Sequence, residues 1–268
     1  MISILIRNKN EEVALDNALK SILRQQFNVP YEIIIVDDHS TDNSVAVATN
    51  YGCKVVMLDK KFTYGYALNF GVLHCQYEII LLLSSHNILL SNNIPSMLIN
   101  YFNDSNVAAV RLTPVANSKQ IEQSLKSCLI IKSSDYNHQK DWNNLIIANC
   151  SAIRKSIAIE IPFNEEIRSN EEKLWSLDVI KRGYTIVSNV PCYFIYNKKN
   201  KDSVVVRDYI SKFQIDGLKT KTFDKVIFNF FKSIPWSLKI ALKAWFQNNR
   251  LNIEFFFIPF KYKKGLYK

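Results

Sequence analysis

Cysteine is scarce and follows no pattern. The five (Cys53, Cys75, Cys128, Cys150, Cys192) are scattered over 268 residues, with no Cys-x-x-Cys pair and no metal-ligand spacing. That excludes the usual sequence signs of a structural zinc or a disulfide framework, and it fits reduced, mostly buried thiols in a cytosolic protein. Long hydrophobic runs are also missing, since no stretch reaches the roughly 18 apolar residues that a membrane span needs. The opening Ile2-Ser3-Ile4-Leu5-Ile6 runs straight into Arg7 and Lys9. It is too short for the apolar core of a signal peptide and reads as a first strand. There is no internal repeat and no low-complexity linker. No RRM, KH, OB or helix-turn-helix signature accompanies the positive charge, so nucleic acid is not an expected partner.

What is present is apolar content of 48% and a net charge of +10 with an uneven distribution. Residues 219–268 hold ten Lys and one Arg against one Asp and one Glu, a net +9. The same fifty residues carry thirteen of the thirty-three aromatics. This shift sets an expected boundary near residue 218, with a main domain over 1–218 and a basic helical tail over 219–268. Two short helical patterns flank Pro235. One is Ile227, Phe230, Phe231 and Ile234; the other is Leu238, Ala241, Leu242 and Trp245, with Lys239 and Lys243 on another face. Aromatic faces interleaved with lysine suit helices lying in a membrane interface. Packing of the same helices on the main domain is the alternative.

In the main domain the most informative stretch is YEIIIVDDHSTDNS, residues 31–44. A β-branched run, Ile33 to Val36, stops at two adjacent carboxylates, Asp37 and Asp38. Such a run reads as a strand buried on both faces, and Ser40, Thr41, Asp42 and Asn43 supply cap candidates for a following helix. The aspartates then end a strand at the edge where open α/β sheets bind ligands, with side chains expected to face that crevice. Strands are expected over 2–6, 32–37, 54–58, 78–83, 107–111 and 145–148, with short ones at 184–187 and 193–196. Helices are expected over 11–26, 43–50, 65–75, 92–102 and 171–182, the last closed by Gly183. The alternation predicts an α/β fold with a doubly wound, mostly parallel sheet.

The ordered motifs over about residues 2–197 resemble the family 2 glycosyltransferases, which have the GT-A fold. They are ISILIRNKNEE, EIIIVDDHSTDNS, YGYALNFG, YEIILLLSSHNIL and NEEKLWSLDVIKRGY. A closer similarity is to a bacterial subgroup with an IRxxNE start and a serine–histidine sequence after the fourth strand. The resemblance implies that Asp37 and Asp38 hold the base and ribose of a nucleotide sugar, bordered by Arg7 and Asn8. Arg7 is then a candidate for the donor diphosphate, or for pairing with Asp37 or Glu11. Most of the family has Asp-x-Asp where this chain has Ser84-Ser85-His86. Serine and histidine lack the charge that holds Mg or Mn, so a divalent metal is a doubtful cofactor here. His86 is a weak candidate ligand of a site completed elsewhere. Cationic stabilisation of the leaving group, a degenerate site, or a histidine that merely caps the turn are the other readings.

Glu171-Glu172 stands where the family has an acidic pair that supplies the general base. The resemblance places Glu172 in that role, with Glu171 as the competing assignment and two helix-dipole glutamates as the plain alternative. Lys60, Lys61 and Tyr64 are less specific, and His39 and His74 receive no chemistry. The implied function is inverting transfer from a nucleotide-sugar donor to a glycan, expected to be lipid-linked, in bacterial surface polysaccharide synthesis. The tail suggests a peripheral place at the inner face of the cytoplasmic membrane. A catalytically silent GT-A domain that binds nucleotide sugar or scaffolds a complex is the alternative.

Overall fold

The computed structural model describes residues 1–115, 128–167 and 169–196. The expected boundary near 218 and the basic tail lie outside the described residues. In chain order the elements are β1 (Ile2–Asn8), α1 (Glu12–Leu23), β2 (Tyr31–Asp37), α2 (Ser44–Asn50), β3 (Lys54–Met57), α3 (Tyr64–His74), β4 (Ile79–Ser84) and β5 (Asn87–Leu89). They continue with α4 (Ile94–Phe102), β6 (Val107–Pro114), β7 (Leu129–Ile131), α5 (His138–Asp141), β8 (Cys150–Arg154), α6 (Lys155–Glu160), α7 (Glu171–Lys181) and β9 (Thr185–Tyr196).

Among the described residues the strands form one sheet in the order β3-β2-β1-β4-β8-β6-β9-β5, with β7 on β9. The first four are parallel, as the βα alternation requires. From there the sheet becomes mixed: β8 runs antiparallel to both β4 and β6, while β9 is parallel to β6. The chain winds outward from β1 through β2 to β3, then crosses to the other side of β1 to lay down β4. That reversal is a topological switch point at the carboxyl ends of β1 and β4, where Arg7 pairs in register with Ser84.

One sheet face is closed by α1, α2 and α4. Leu15, Leu19 and Ile22 of α1, together with Ile94, Leu98 and Phe102 of α4, pack on Ile4, Ile6, Leu81 and Leu83. The other face receives α3 and α7. Gly65 in α3 permits the close approach of the segment leading to α7, since a Cβ there would lie 2.1 Å from the Asn164 carbonyl oxygen. Asn69 of α3 clamps the same segment, donating to the Phe163 carbonyl at 2.9 Å and accepting from the Phe163 amide at 2.9 Å. Gly183 follows α7 at φ 91°, a left-handed conformation suited to glycine past a helix end.

Three expectations need correction. Residues 145–148 form no strand: Leu145 and Ile146 are buried in irregular chain, and the strand is Cys150–Arg154, clamped between β4 and β6. The two short strands near the end are one bent strand, β9, carrying a bulge with Asn189 at φ 56°. Beyond its first four strands the sheet is mixed, because β8 enters in the opposite direction, although β6 and β9 again pair in parallel.

Candidate active site

The expected site residues gather along one edge of the sheet, at the ends of the adjacent strands β2, β1 and β4. The end of β2 is organised as a closed polar knot. Asp37 is fully buried, and both of its carboxylate oxygens are engaged. Oδ1 accepts from the Ser40 amide at 2.7 Å; Oδ2 accepts from Ser40 Oγ at 2.7 Å and from Asn8 Nδ2 at 2.9 Å. Asp37 thus faces inward, contrary to the expectation of two crevice-facing aspartates, because its neighbours supply three donors that burial would otherwise leave unpaired. Asp38 keeps a partly exposed side chain and pairs with Lys9 Nζ at 2.6 Å. Asn8 is buried, and its Nδ2 also reaches Ser40 Oγ at 3.2 Å. Neither Lys9 nor Ser40 is among the site residues expected from sequence. Both lie within the quoted motifs, but their roles depend on pairing across two strands.

Arg7 points elsewhere. Its guanidinium meets Glu171, with Nη1 3.7 Å from Oε1, and not Asp37 or Glu11. Nη2 reaches the Ala148 carbonyl at 3.5 Å, and the guanidinium lies 5.3 Å from the ring centre of Tyr64. These groups line a cleft of about 220 Å³. Ala148 and Asn149 form one part of its wall; Asn170, Glu171 and Glu172 form another, and Tyr196 of β9 also borders it. A larger depression of about 500 Å³ along α1, lined by Asn17, Lys20, Leu23, Arg24 and Ile88, holds no acid. Its Lys20 is already paired with Asp16. The smaller cleft is therefore the one equipped for chemistry.

The acidic pair opens α7, whose position is set by packing rather than by helix propensity. Trp175 is almost completely buried, stacks on Phe163 with ring centres 5.2 Å apart, and donates from Nε1 to the Ile161 carbonyl at 2.6 Å. Glu171 is buried beside Arg7, whereas Glu172 is only partly buried. The Glu172 carboxyl is pushed up to about 8. Burial is the largest cause and the charge of Glu171 adds to it; its own backbone hydrogen bond, Arg7 and Lys173 pull in the opposite direction. A carboxylate poised near neutral pH is the condition under which a general base works best.

Ser84 ends β4, and Ser85-His86 makes the turn into β5. Ser84 Oγ accepts from the His86 amide at 3.3 Å, Ser85 is buried, and His86 Nε2 lies 3.0 Å from Glu11 Oε1. The His86 ring also meets Tyr196 edge to face at 6.0 Å. Among the described residues no group of three or more His, Cys, Asp or Glu could hold a metal ion. With two serines and an imidazole already facing a carboxylate, this donor set does not match the oxygen-rich shell of Mg or Mn.

Of the less specific candidates, Tyr64 enters the cleft, while Lys60 lies 5.5 Å from the ring centre of Tyr66. His39 contacts the Leu58 carbonyl and His74 the Phe70 carbonyl. Asn149 and Tyr196 were missed, and no local sequence signal marks either one.

The family model described as Glycosyl transferase family 2 matches residues 3–161. A 4,4'-diaponeurosporenoate glycosyltransferase of Staphylococcus aureus (strain MRSA252) is 42% identical over 55 residues, covering 20% of this chain and 14% of that protein. The chain therefore spans only a small part of the curated relatives it matches. Among solved structures, S. aureus TarS 1-349 in complex with UDP-GlcNAc superposes with a TM-score of 0.60 at 17% identity, over 75% of this chain and 59% of that one. Mannosyltransferase PcManGT from Pyrobaculum calidifontis, in complex with GDP-Man and Mn2+, gives 0.64 at 14% identity, over 100% of this chain and 81% of that one. At such identities the likeness is one of fold.

Proposed function

Because the chain belongs to glycosyl transferase family 2, we propose that the cleft beside Arg7 transfers a sugar from a nucleotide-sugar donor to a glycan acceptor with inversion. The observation that carries this reading is the acidic pair at the head of α7, held against Arg7 at the switch point of the sheet. The acceptor hydroxyl oxygen attacks the anomeric carbon while Glu172 takes its proton. The bond from that carbon to the donor phosphate oxygen breaks, and the electron pair leaves with the nucleoside diphosphate. Arg7, which lines the cleft, stabilises that charge as it develops, and Glu171 keeps it oriented. Asp38, at the end of β2, is the carboxylate available to the nucleoside; Asp37 acts behind it by fixing the turn.

A divalent ion is a doubtful cofactor in this reading, because two serines and an imidazole at Ser84–His86 do not suit Mg or Mn. The acceptor is read as lipid-linked and the setting as a bacterial surface polysaccharide made at the inner face of the membrane. Support for this is compositional: the +9 charge and thirteen aromatics of residues 219–268. No helix among the described residues is long and apolar enough to cross a membrane, so attachment would be through that tail. Vesicle flotation of the whole chain, with anionic and with neutral lipids, tests it. Binding that is indifferent to lipid charge and to salt would remove the membrane claim.

The decisive experiment for the reaction is a donor screen. Purified protein is challenged with a panel of nucleotide sugars, and thermal shift and donor hydrolysis are read together. A donor that both stabilises and is hydrolysed supports transfer. Stabilisation without hydrolysis or transfer to any acceptor would favour a silent nucleotide-sugar-binding domain. No response to any nucleotide sugar defeats both.

A further inference from the structure

Beyond the cleft, on the same face of the sheet, stands a cation with no counter-ion among the described residues. In-register pairing runs one row from Leu5 in β1 through Leu82 in β4 and Ser151 in β8 to Arg111 in β6. Arg7 and Ser84 lie on that face two residues further along β1 and β4. Arg111 is only partly exposed, and among the described residues its side chain has no hydrogen bond or ion pair. Its Nε is shielded from solvent with no partner. Burial lowers its pKa to about 10, with no carboxylate offsetting it, so it remains charged at neutral pH.

The strand beside it is bulged at the same level. Val187 pairs with Val110 and Val190 with Leu112, so Ser188 and Asn189 together stand opposite Arg111. Val110, Leu112, Val187 and Val190 all belong to the core on the α1 and α4 face. Alternation therefore turns Arg111 and Ser188 to the opposite face, the face of the cleft. Ser188 is fully buried, and its hydroxyl too has no partner. A guanidinium and a hydroxyl left unpaired in one place carry a desolvation penalty that an oxyanion would offset. The planar guanidinium fork fits phosphate or carboxylate. From strand spacings, the Cα of Arg111 is roughly 15 Å from that of Arg7. A group bound there belongs to the acceptor and not to the donor diphosphate.

We propose that Arg111 and Ser188 form an acceptor subsite that binds an oxyanion, a phosphate or carboxylate carried on the glycan. This rests on the transfer reading and names the acceptor's chemistry. The test measures binding without turnover, so its failure leaves that reading standing. The full chain is titrated calorimetrically with glucose 1-phosphate, glucuronate and neutral methyl glucoside. At least one anion should bind and the neutral sugar should not; which anion binds says whether the acceptor is phosphorylated or acidic. Arg111→Gln should weaken that binding about tenfold or more, and Ser188→Ala about threefold. Arg7→Gln, which alters the cleft with the acidic pair and not this site, should leave it in place. Arg111→Met removes an unpaired charge and should melt no lower than wild type. Anion binding that survives Arg111→Gln, or that disappears in Arg7→Gln instead, overturns the subsite. So does a large drop in melting temperature for Arg111→Met, which would show that the guanidinium has a structural partner.

Discussion

Replacing Glu172 by Gln separates the two things the structure says about this carboxyl: that it is the base, and that its ionised form is penalised in the fold. The ordinary value is 4.5 and the folded value is raised to about 8, mainly by burial and then by the neighbouring Glu171. Between those two values the folded state binds the extra proton. Stability is therefore fully present below 4.5 and is lost as pH rises through the raised value. Because the side chain is partly exposed, solvent screens much of the penalty; one unit, about 1.4 kcal/mol, is a discounted figure. For a folded region of this size that corresponds to about 3–5 °C in melting temperature. Glu172→Gln should therefore melt with wild type at pH 4 and about 3–5 °C above it at pH 9. Its transfer rate should fall about 10²–10⁴-fold, with donor affinity nearly unchanged, since an amide has the carboxylate's shape but cannot accept the proton. The assay pairs melting curves at the two pH values with transfer kinetics on the donor found by screening. An equal melting difference at both pH values would refute the electrostatic argument. Normal turnover would refute the base assignment.

The remaining predictions use the same site. Glu171→Gln removes the like charge that helps raise Glu172, so the rising limb of the pH–rate profile should move to lower pH; collapse of turnover at every pH would make Glu171 the base instead. Asp37→Ala leaves the Ser40 amide, Ser40 Oγ and Asn8 Nδ2 without their acceptor, and should destabilise the fold by about 1–3 kcal/mol in denaturant titration. Asp38→Ala should keep wild-type stability to within about 0.5 kcal/mol while weakening nucleotide-sugar binding in calorimetry; unchanged affinity would remove the donor role of Asp38. Transfer should persist at least in part in EDTA, and complete loss restored by Mg or Mn would mean that other carboxylates assemble an ordinary metal site.

The first half of the fold was legible because local pattern and tertiary environment agree there. The β-branched run before Asp37 is a strand buried on both faces, and Leu15, Ala18, Leu19 and Ile22 do line the inner face of α1. Helix bounds differ from expectation by a few residues, since end turns depend on caps such as Thr63, which accepts from the Tyr66 amide. Past Pro114 the agreement weakens. Leu145 and Ile146 have the composition of a strand and are buried, but they lie in irregular chain. Cys150–Arg154, less apolar by sequence, takes the place between β4 and β6.

The sequence by itself determined which residues carry charge at the strand ends and in what order: Arg7 and Asn8, Asp37 and Asp38, Ser84 to His86, Glu171 and Glu172. Periodicity and turn chemistry suffice for that, because they report on burial and on local backbone preference. Only the tertiary structure decided what each side chain faces. Asp37 turned inward to Asn8 and Ser40, Arg7 reached Glu171 on a helix far along the chain, and His86 met Glu11. Among the described residues the Arg111 side chain was left without a hydrogen bond or ion pair, beside a bulge in β9. The reason is physical: a charge's partner, and hence its pKa and its role, depends on groups brought close by packing from distant parts of the chain, and no local pattern encodes that distance.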